Sequence, residues 1–161
     1  MDTDVQEQVK PKKKAWRKIL NVVIYFVIIF GIVFGLPRFL TRALDTPYPM
    51  AAITSGSMWP ALKEGDLVFV QGIQKEDLKV GDIVVYKNKN NNTFTIHRVV
   101  KLNPENFVTK GDGNFNEDEP ALYPDLVGRS LTLFGKPFHI PYLGSITVFA
   151  SNLRTQKTDG K

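Results

Sequence analysis

Hydrophobic positions fall into two regimes along this chain. From Ile19 to Leu36 (ILNVVIYFVIIFGIVFGL) eighteen residues run without a charge and with a single Asn. A helix rising about 1.5 Å per residue would carry that stretch across roughly 27 Å, close to the hydrocarbon thickness of a bilayer. Beyond residue 65 the apolar runs are short, rich in β-branched and aromatic residues, and separated by turn residues, which is the pattern of strands. Asp66 to Val70 (DLVFV) and Asp82 to Tyr86 (DIVVY) each follow a glycine. Thr93 to Leu102 (TFTIHRVVKL) reads as one long strand after the polar hairpin Lys87 to Asn92. Alternation puts Phe94, Ile96, Val100 and Leu102 on one face and Thr95, His97, Val99 and Lys101 on the other. Phe107 to Lys110 and Leu126 to Phe134 read as further strands, with an acidic, Gly- and Asn-rich loop from Gly111 to Pro120 between them.

The expected fold is mainly β: a single N-terminal transmembrane helix followed by a twisted β-sandwich or barrel-like domain. The boundaries read as a basic tail over 1–18, the spanning helix over 19–36, a linker over 37–52, the β domain over 53–150 and a polar tail over 151–161. Prolines at 37, 47 and 49 allow the linker a short turn of helix at most. Pro137 to Leu153 is too broken by prolines and polar groups to span a second time, and reads as strand plus interfacial surface.

Charge refines the anchor. Lys10, Lys12, Lys13, Lys14, Arg17 and Lys18 precede the apolar run, whereas only Arg38 and Arg42 follow closely. The positive-inside rule then puts the N-terminus in the cytoplasm and the β domain outside, on a single-pass protein of the cell membrane. A cleaved secretory signal would have a shorter apolar core followed by a small-residue site; here Pro-Arg-Phe-Leu follows, so the helix reads as a retained anchor. The net charge of +5 belongs largely to that flank, and no basic stripe with interleaved aromatics suggests nucleic acid. With no cysteine among the 161 residues, disulfides, a thiol nucleophile and thiolate metal sites are excluded. Asn91-Asn92-Thr93 matches a glycosylation acceptor, but in an Asn-rich hairpin the match reads as chance.

Candidate chemistry centres on Thr54-Ser55-Gly56-Ser57-Met58-Trp59-Pro60, where Gly56 permits a tight bend and Pro60 biases Trp59 away from helix. A serine on such a turn needs a base within hydrogen-bond reach. The chain offers two histidines, His97 in mid-strand and His139 between Phe138 and Ile140. A base in turn needs an orienting carboxylate, and the loop after the next strand supplies Asp112 and Asp118. His139 and Lys110 remain the other candidate bases.

The surroundings of these residues carry a resemblance. Ser55-Gly56-Ser57-Met58-x-Pro60 resembles the nucleophile box of type I signal peptidases; Gly81-Asp82-Ile83-Val84-Val85-Tyr86, His97-Arg98-Val99-Val100 and Lys110-Gly111-Asp112-x-Asn114 resemble three further boxes in the family's order. Together they span about residues 19 to 145, counting the anchor. Most bacterial members carry lysine where His97 stands, so the chain resembles the branch typical of the endoplasmic reticulum and archaea, also found in some Gram-positive bacteria. Trp59 departs from the acidic residue usual there.

The resemblance implies a serine endopeptidase that removes signal peptides from exported preproteins at a small-x-small site. It assigns Ser57 as nucleophile, His97 as general base, Asp118 as the residue orienting the imidazole and Asp112 as a second acidic residue of the site, with Asp112 a rival for the orienting role. Ser55 is either an oxyanion donor or a turn-stabilising hydroxyl. No metal or other cofactor is implied. The implied partners are exported preproteins, the lipid bilayer and the secretion translocon. Competing readings are a non-catalytic membrane-tethered β domain of a secretion complex and a narrow-substrate Ser/His processing peptidase.

Overall fold

The computed structural model describes residues 13–89 and 93–146. Part of the basic tail, the Asn91-Asn92 pair and the segment from residue 147 onward lie outside the described residues. The chain divides into two compact units, residues 1–39 and 40–161.

The first unit is dominated by a helix. Helix α1 (Lys13–Phe30) passes through one π-helical turn, Gly31–Gly35, into α2 (Leu36–Ala43). From Trp16 to Ala43 it is long and apolar enough to cross a membrane, and its side chains from Ile19 to Leu36 are exposed. The helix therefore does not stop at Leu36, as the proline had suggested. Pro37 has no N–H to offer a carbonyl four residues back, and its ring crowds that carbonyl. The wider π turn, with Leu36 N–H donating to Gly31 O, relieves this locally, and Arg38 Nη1 donates to Phe34 O at 2.9 Å. Two helical turns thus occupy what the sequence suggested was linker.

The second unit is antiparallel β. Its strands are β1 (Met50–Ala52), β2 (Leu67–Gln71), β3 (Ile83–Asn88), β4 (Thr93–Leu102), β5 (Asn106–Lys110), β6 (Ala121–Leu122) and β7 (Leu126–Ser130). They form one sheet in the order β1-β2-β7-β3-β4-β5-β6. After Leu131 the chain turns into a small hairpin, β8 (Thr132–Leu133) with β9 (Lys136–Pro137), and β10 (His139–Ile140) returns to pair with β2. The long strand expected over 126–134 is thus cut at Ser130. Phe134 and Gly135 form the hairpin tip with φ of 51° and 77°.

The strand β3 lies inside the sheet and buries both faces, which explains its unbroken apolar run. Ile83 and Val85 join Ile53, Met58, Leu62, Val68 and Val70 in one core. Val84 and Tyr86 join Leu78, Val99 and Phe107 in another. The face of β4 that carries His97 is therefore covered by the second core, not left as the more polar side: His97 is 8% exposed and Val99 1%, whereas Phe94 on the opposite face is 47% exposed.

Candidate active site

Ser57 sits in a one-turn 3₁₀ helix, Gly56–Met58. Two anchors hold this turn. Met58 is fully buried in the first core, and Leu62 N–H donates to Met58 O at 2.9 Å. On its other side the loop after β5 packs against it, with Gly113 N–H donating to Ser57 O at 2.8 Å. That approach needs glycine at 111, because a Cβ there would stand 2.5 Å from Ser57 O and 2.7 Å from Asn114 Nδ2. Gly111→Ala is expected to push the turn away and cost about 1–3 kcal/mol of stability. Thermal unfolding measures the cost, and a fall in catalytic rate in the folded protein measures the shift of Ser57.

His97 reaches the serine from the sheet. It lies opposite Val84 in the β3–β4 ladder, so its Cα is fixed by a central strand. The imidazole Nε2 is 3.0 Å from Ser57 Oγ, and Nδ1 is 2.5 Å from Asp118 Oδ2. Ser57 is half-buried while His97 is buried, which leaves the hydroxyl accessible and the ring confined. Ser55 Oγ lies 3.1 Å from Ser57 Oγ on the exposed side.

The two aspartates that the sequence left as rivals have separate partners. Asp118 meets His97. Asp112 accepts two hydrogen bonds from Arg98, from Nε at 2.8 Å and Nη2 at 2.6 Å, a fork-to-fork pair. Arg98 also donates from Nη1 to Gly81 O at 2.8 Å. The hydrogen bond to Asp112 holds the Arg98 guanidinium above its usual range, partly opposed by burial. Asp112 thereby ties the loop at 111–113 to β4, one residue from His97.

His139 and Lys110 are placed elsewhere. His139 Nδ1 is 3.1 Å from Pro137 O and Nε2 is 3.6 Å from Asp66 Oδ2. Lys110 stands opposite Arg98 in the β4–β5 ladder. Among the described residues neither is hydrogen-bonded to Ser57, whose partners are His97, Ser55 and Gly113. Trp59 is 54% exposed, with Lys63 Nζ 5.0 Å from its ring centre. Among the described residues no group of three or more His, Asp or Glu side chains is placed to hold a metal ion.

An open groove of about 610 Å³ runs past Ser57 and His97. Its walls are β1 with the following residues to Ser55, and the first half of β4. Both walls are strand edges: among the described residues β1 pairs only with β2, and β4 pairs with β3 alone until β5 joins at Arg98. Ala51 and Ala52 line the β1 side, Tyr48, Phe94 and Ile96 supply accessible apolar surface, and the buried Ile53, Met58 and Val85 lie beneath the floor.

Sequence reasoning missed two participants. Thr109 Oγ1 is 2.6 Å from Asp118 Oδ2 and 3.1 Å from Tyr86 Oη. Both residues are buried in segments the sequence read simply as strands, and the one available signal was a hydroxyl at a position otherwise suited to Val or Phe.

Comparison with known proteins agrees with this architecture. Residues 19–119 match the family described as signal peptidase, peptidase S26, a stretch that contains Ser57, His97, Asp112 and Asp118. The chain belongs to this family. It is 31% identical over 118 residues to the signal peptidase complex catalytic subunit SEC11C of Homo sapiens, covering 65% of this chain and 58% of that protein. It is 35% identical over 120 residues to the signal peptidase complex catalytic subunit sec11 of Pyrenophora teres f. teres (strain 0-1), covering 70% and 69%. For the protein of the same name from Sclerotinia sclerotiorum (strain ATCC 18683 / 1980 / Ss-1) the identity is 35% over 127 residues, with 74% and 73% covered. The chain thus spans little more than half the length of the mammalian relative.

Proposed function

We propose that this chain is a membrane-anchored serine endopeptidase that removes N-terminal signal peptides from exported preproteins. The observation that carries the reading is the continuous line of contacts Ser57 Oγ–His97 Nε2 and His97 Nδ1–Asp118 Oδ2, at 3.0 and 2.5 Å, opening on a groove between two strand edges. In this account Ser57 Oγ attacks the scissile carbonyl carbon while His97 Nε2 takes its proton. Asp118 holds the proton of Nδ1, so Nε2 presents its lone pair, and the carboxylate offsets the imidazolium that forms. The Ser57 N–H, in the first turn of a 3₁₀ helix where it has no partner within that helix, and the Ser55 hydroxyl stabilise the oxyanion. His97 returns the proton to the leaving amine of the mature protein. The signal peptide remains as an ester on Ser57 until water, deprotonated by His97, releases it.

The groove explains the substrate class under this reading. An extended peptide fits between the edges of β1 and β4, with backbone pairing for affinity and alternate side chains facing the walls. Ala51 and Ala52 stand on the β1 wall, where the alternate small side chains of a small-x-small site would face. Residues 19–36 anchor the β domain outside the cell membrane with the N-terminus in the cytoplasm, where exported preproteins emerge from the secretion translocon.

Ser55→Ala is expected to lower the catalytic rate constant about 10²–10³-fold with little change in KM, because it removes a donor used only in the transition state. Single-turnover kinetics checks this, and an unchanged rate would return Ser55 to the role of a turn hydroxyl. The function itself is tested in lipid vesicles with two precursors, one carrying Ala-x-Ala at the cleavage site and one with Phe replacing the last Ala. Cleavage of the first alone, after its final Ala, is the expected result. Equal cleavage of both would contradict the small-residue reading.

A further inference from the structure

The hydroxyls of Thr109 and Tyr86 lie behind the Ser57–His97–Asp118 line. Thr109 stands opposite Val99, and Tyr86 stands opposite Thr95. Since Thr95, His97 and Val99 alternate on one side of β4, Tyr86, His97 and Thr109 project from the same sheet face on three adjacent strands. Asp118 comes from the loop and folds back onto that face. It is held there twice by the same residue, through Asp118 N–H donating to Thr109 O at 2.8 Å and Thr109 Oγ1 donating to Asp118 Oδ2 at 2.6 Å.

A threonine hydroxyl has one proton. The carboxylate is the stronger acceptor, so Thr109 donates to Asp118, and the Tyr86 phenol packs against the same hydroxyl with its oxygen 3.1 Å from Thr109 Oγ1. Burial chiefly keeps the Tyr86 phenol protonated, raising its titration above the ordinary value. Thr109 is 0% exposed and Tyr86 3%, so water does not substitute for either partner. The oxygen that Thr109 grips is the same Oδ2 that faces His97 Nδ1. Thr109 thus holds the very carboxylate oxygen that the imidazole uses.

We propose that Thr109, backed by Tyr86, is a positioning residue of the catalytic line: its buried hydroxyl fixes Asp118 Oδ2 against His97 Nδ1 and so keeps Nε2 aimed at Ser57. Neither residue touches substrate. The inference rests on the proposed roles of Ser57, His97 and Asp118. It goes beyond them by assigning the accuracy of the triad to a strand hydroxyl rather than to the loop that carries the carboxylate.

The test is steady-state cleavage of the Ala-x-Ala precursor by full-length wild type, Thr109→Val and Thr109→Ser in vesicles, each below its own unfolding temperature. Val keeps the shape and removes the hydroxyl; Ser keeps the hydroxyl. Thr109→Val is expected to lower kcat about 10–10²-fold with KM within about twofold, the size typical of losing a residue that orients a first-rank group. Thr109→Ser is expected to restore kcat to within about threefold of wild type. A merely structural role would lower the unfolding temperature of Thr109→Val without this kcat–KM split. Folded Thr109→Val with wild-type kcat, or Thr109→Ser as impaired as Thr109→Val, would overturn the inference. Should Thr109→Val not fold, Tyr86→Phe replaces it, with a fall of about 3–10-fold in kcat alone expected and an unchanged kcat overturning the proposal. His97→Ala run alongside separates the two levels: if it stays active the triad reading itself fails, whereas its loss together with intact Thr109→Val removes only the positioning role.

Discussion

Ser57→Ala and His97→Ala are each expected to lower precursor cleavage by at least about 10³-fold, and the double variant little further. The geometry gives the reason. Ser57 Oγ is the hydroxyl within 3.0 Å of His97 Nε2, while the neighbouring Ser55 Oγ reaches Ser57 and not the imidazole. Removing the nucleophile leaves the base nothing to activate; removing the base leaves a hydroxyl that is too weakly nucleophilic near neutral pH. The two act on one proton, so their losses do not add. Ser57 is half-buried and loses a single oxygen, so Ser57→Ala should unfold at the wild-type temperature. Kinetics of purified variants in vesicles, read beside thermal unfolding, checks both statements. Activity that survived His97→Ala would move the base to Lys110 or His139, although neither is hydrogen-bonded to Ser57 in the described structure.

The second large effect separates the two aspartates. Asp118→Asn is expected to lower the rate about 10³–10⁴-fold with folding intact. A neutral amide at Nδ1 no longer selects the tautomer that leaves Nε2 free, nor does it offset the charge of the imidazolium. Asp112→Asn acts differently. It breaks the forked pair with Arg98, whose side chain is 34% exposed, so solvent screens part of the loss. The expected cost is about 1–2 kcal/mol of stability with a smaller rate loss of about 10–10²-fold, transmitted through the loop at 111–113 that holds Ser57 O. Rate and unfolding temperature measured on both variants give opposite rankings under this account. Equal profiles for the two would remove the distinction between an orienting and a bracing carboxylate.

The legible parts of this protein are those where one local pattern decides the outcome. A charge-free apolar run makes the helix, and β4 appears at the residues its alternation suggested, Thr93 to Leu102. The strand β3 follows from a run that is apolar on both faces. Other elements depend on partners far along the chain. Met50-Ala51-Ala52 has weak strand propensity and proline neighbours, yet forms β1 because Ala51 and Ala52 pair with Val68 and Leu67. His139-Ile140 becomes a strand against the same two residues. Pro37 misled because its local penalty is relieved by a π turn that residue spacing does not announce. At the site, the serine turn and histidine were visible as residue types, but Asp112 and Asp118 lie six positions apart on one loop. Choosing between them requires knowing how that loop folds back. The same holds for Thr109 and Tyr86, whose hydroxyls look like ordinary strand residues until three strands bring them to one face.

The most direct test is the mass of the cleavage products and of the enzyme when wild type and Ser57→Ala meet an Ala-x-Ala precursor in vesicles under rapid quench. The account predicts a new N-terminus immediately after the final Ala with wild type, a transient signal-peptide ester on Ser57, and neither with Ser57→Ala. Cleavage of that bond by Ser57→Ala at the wild-type rate would contradict it.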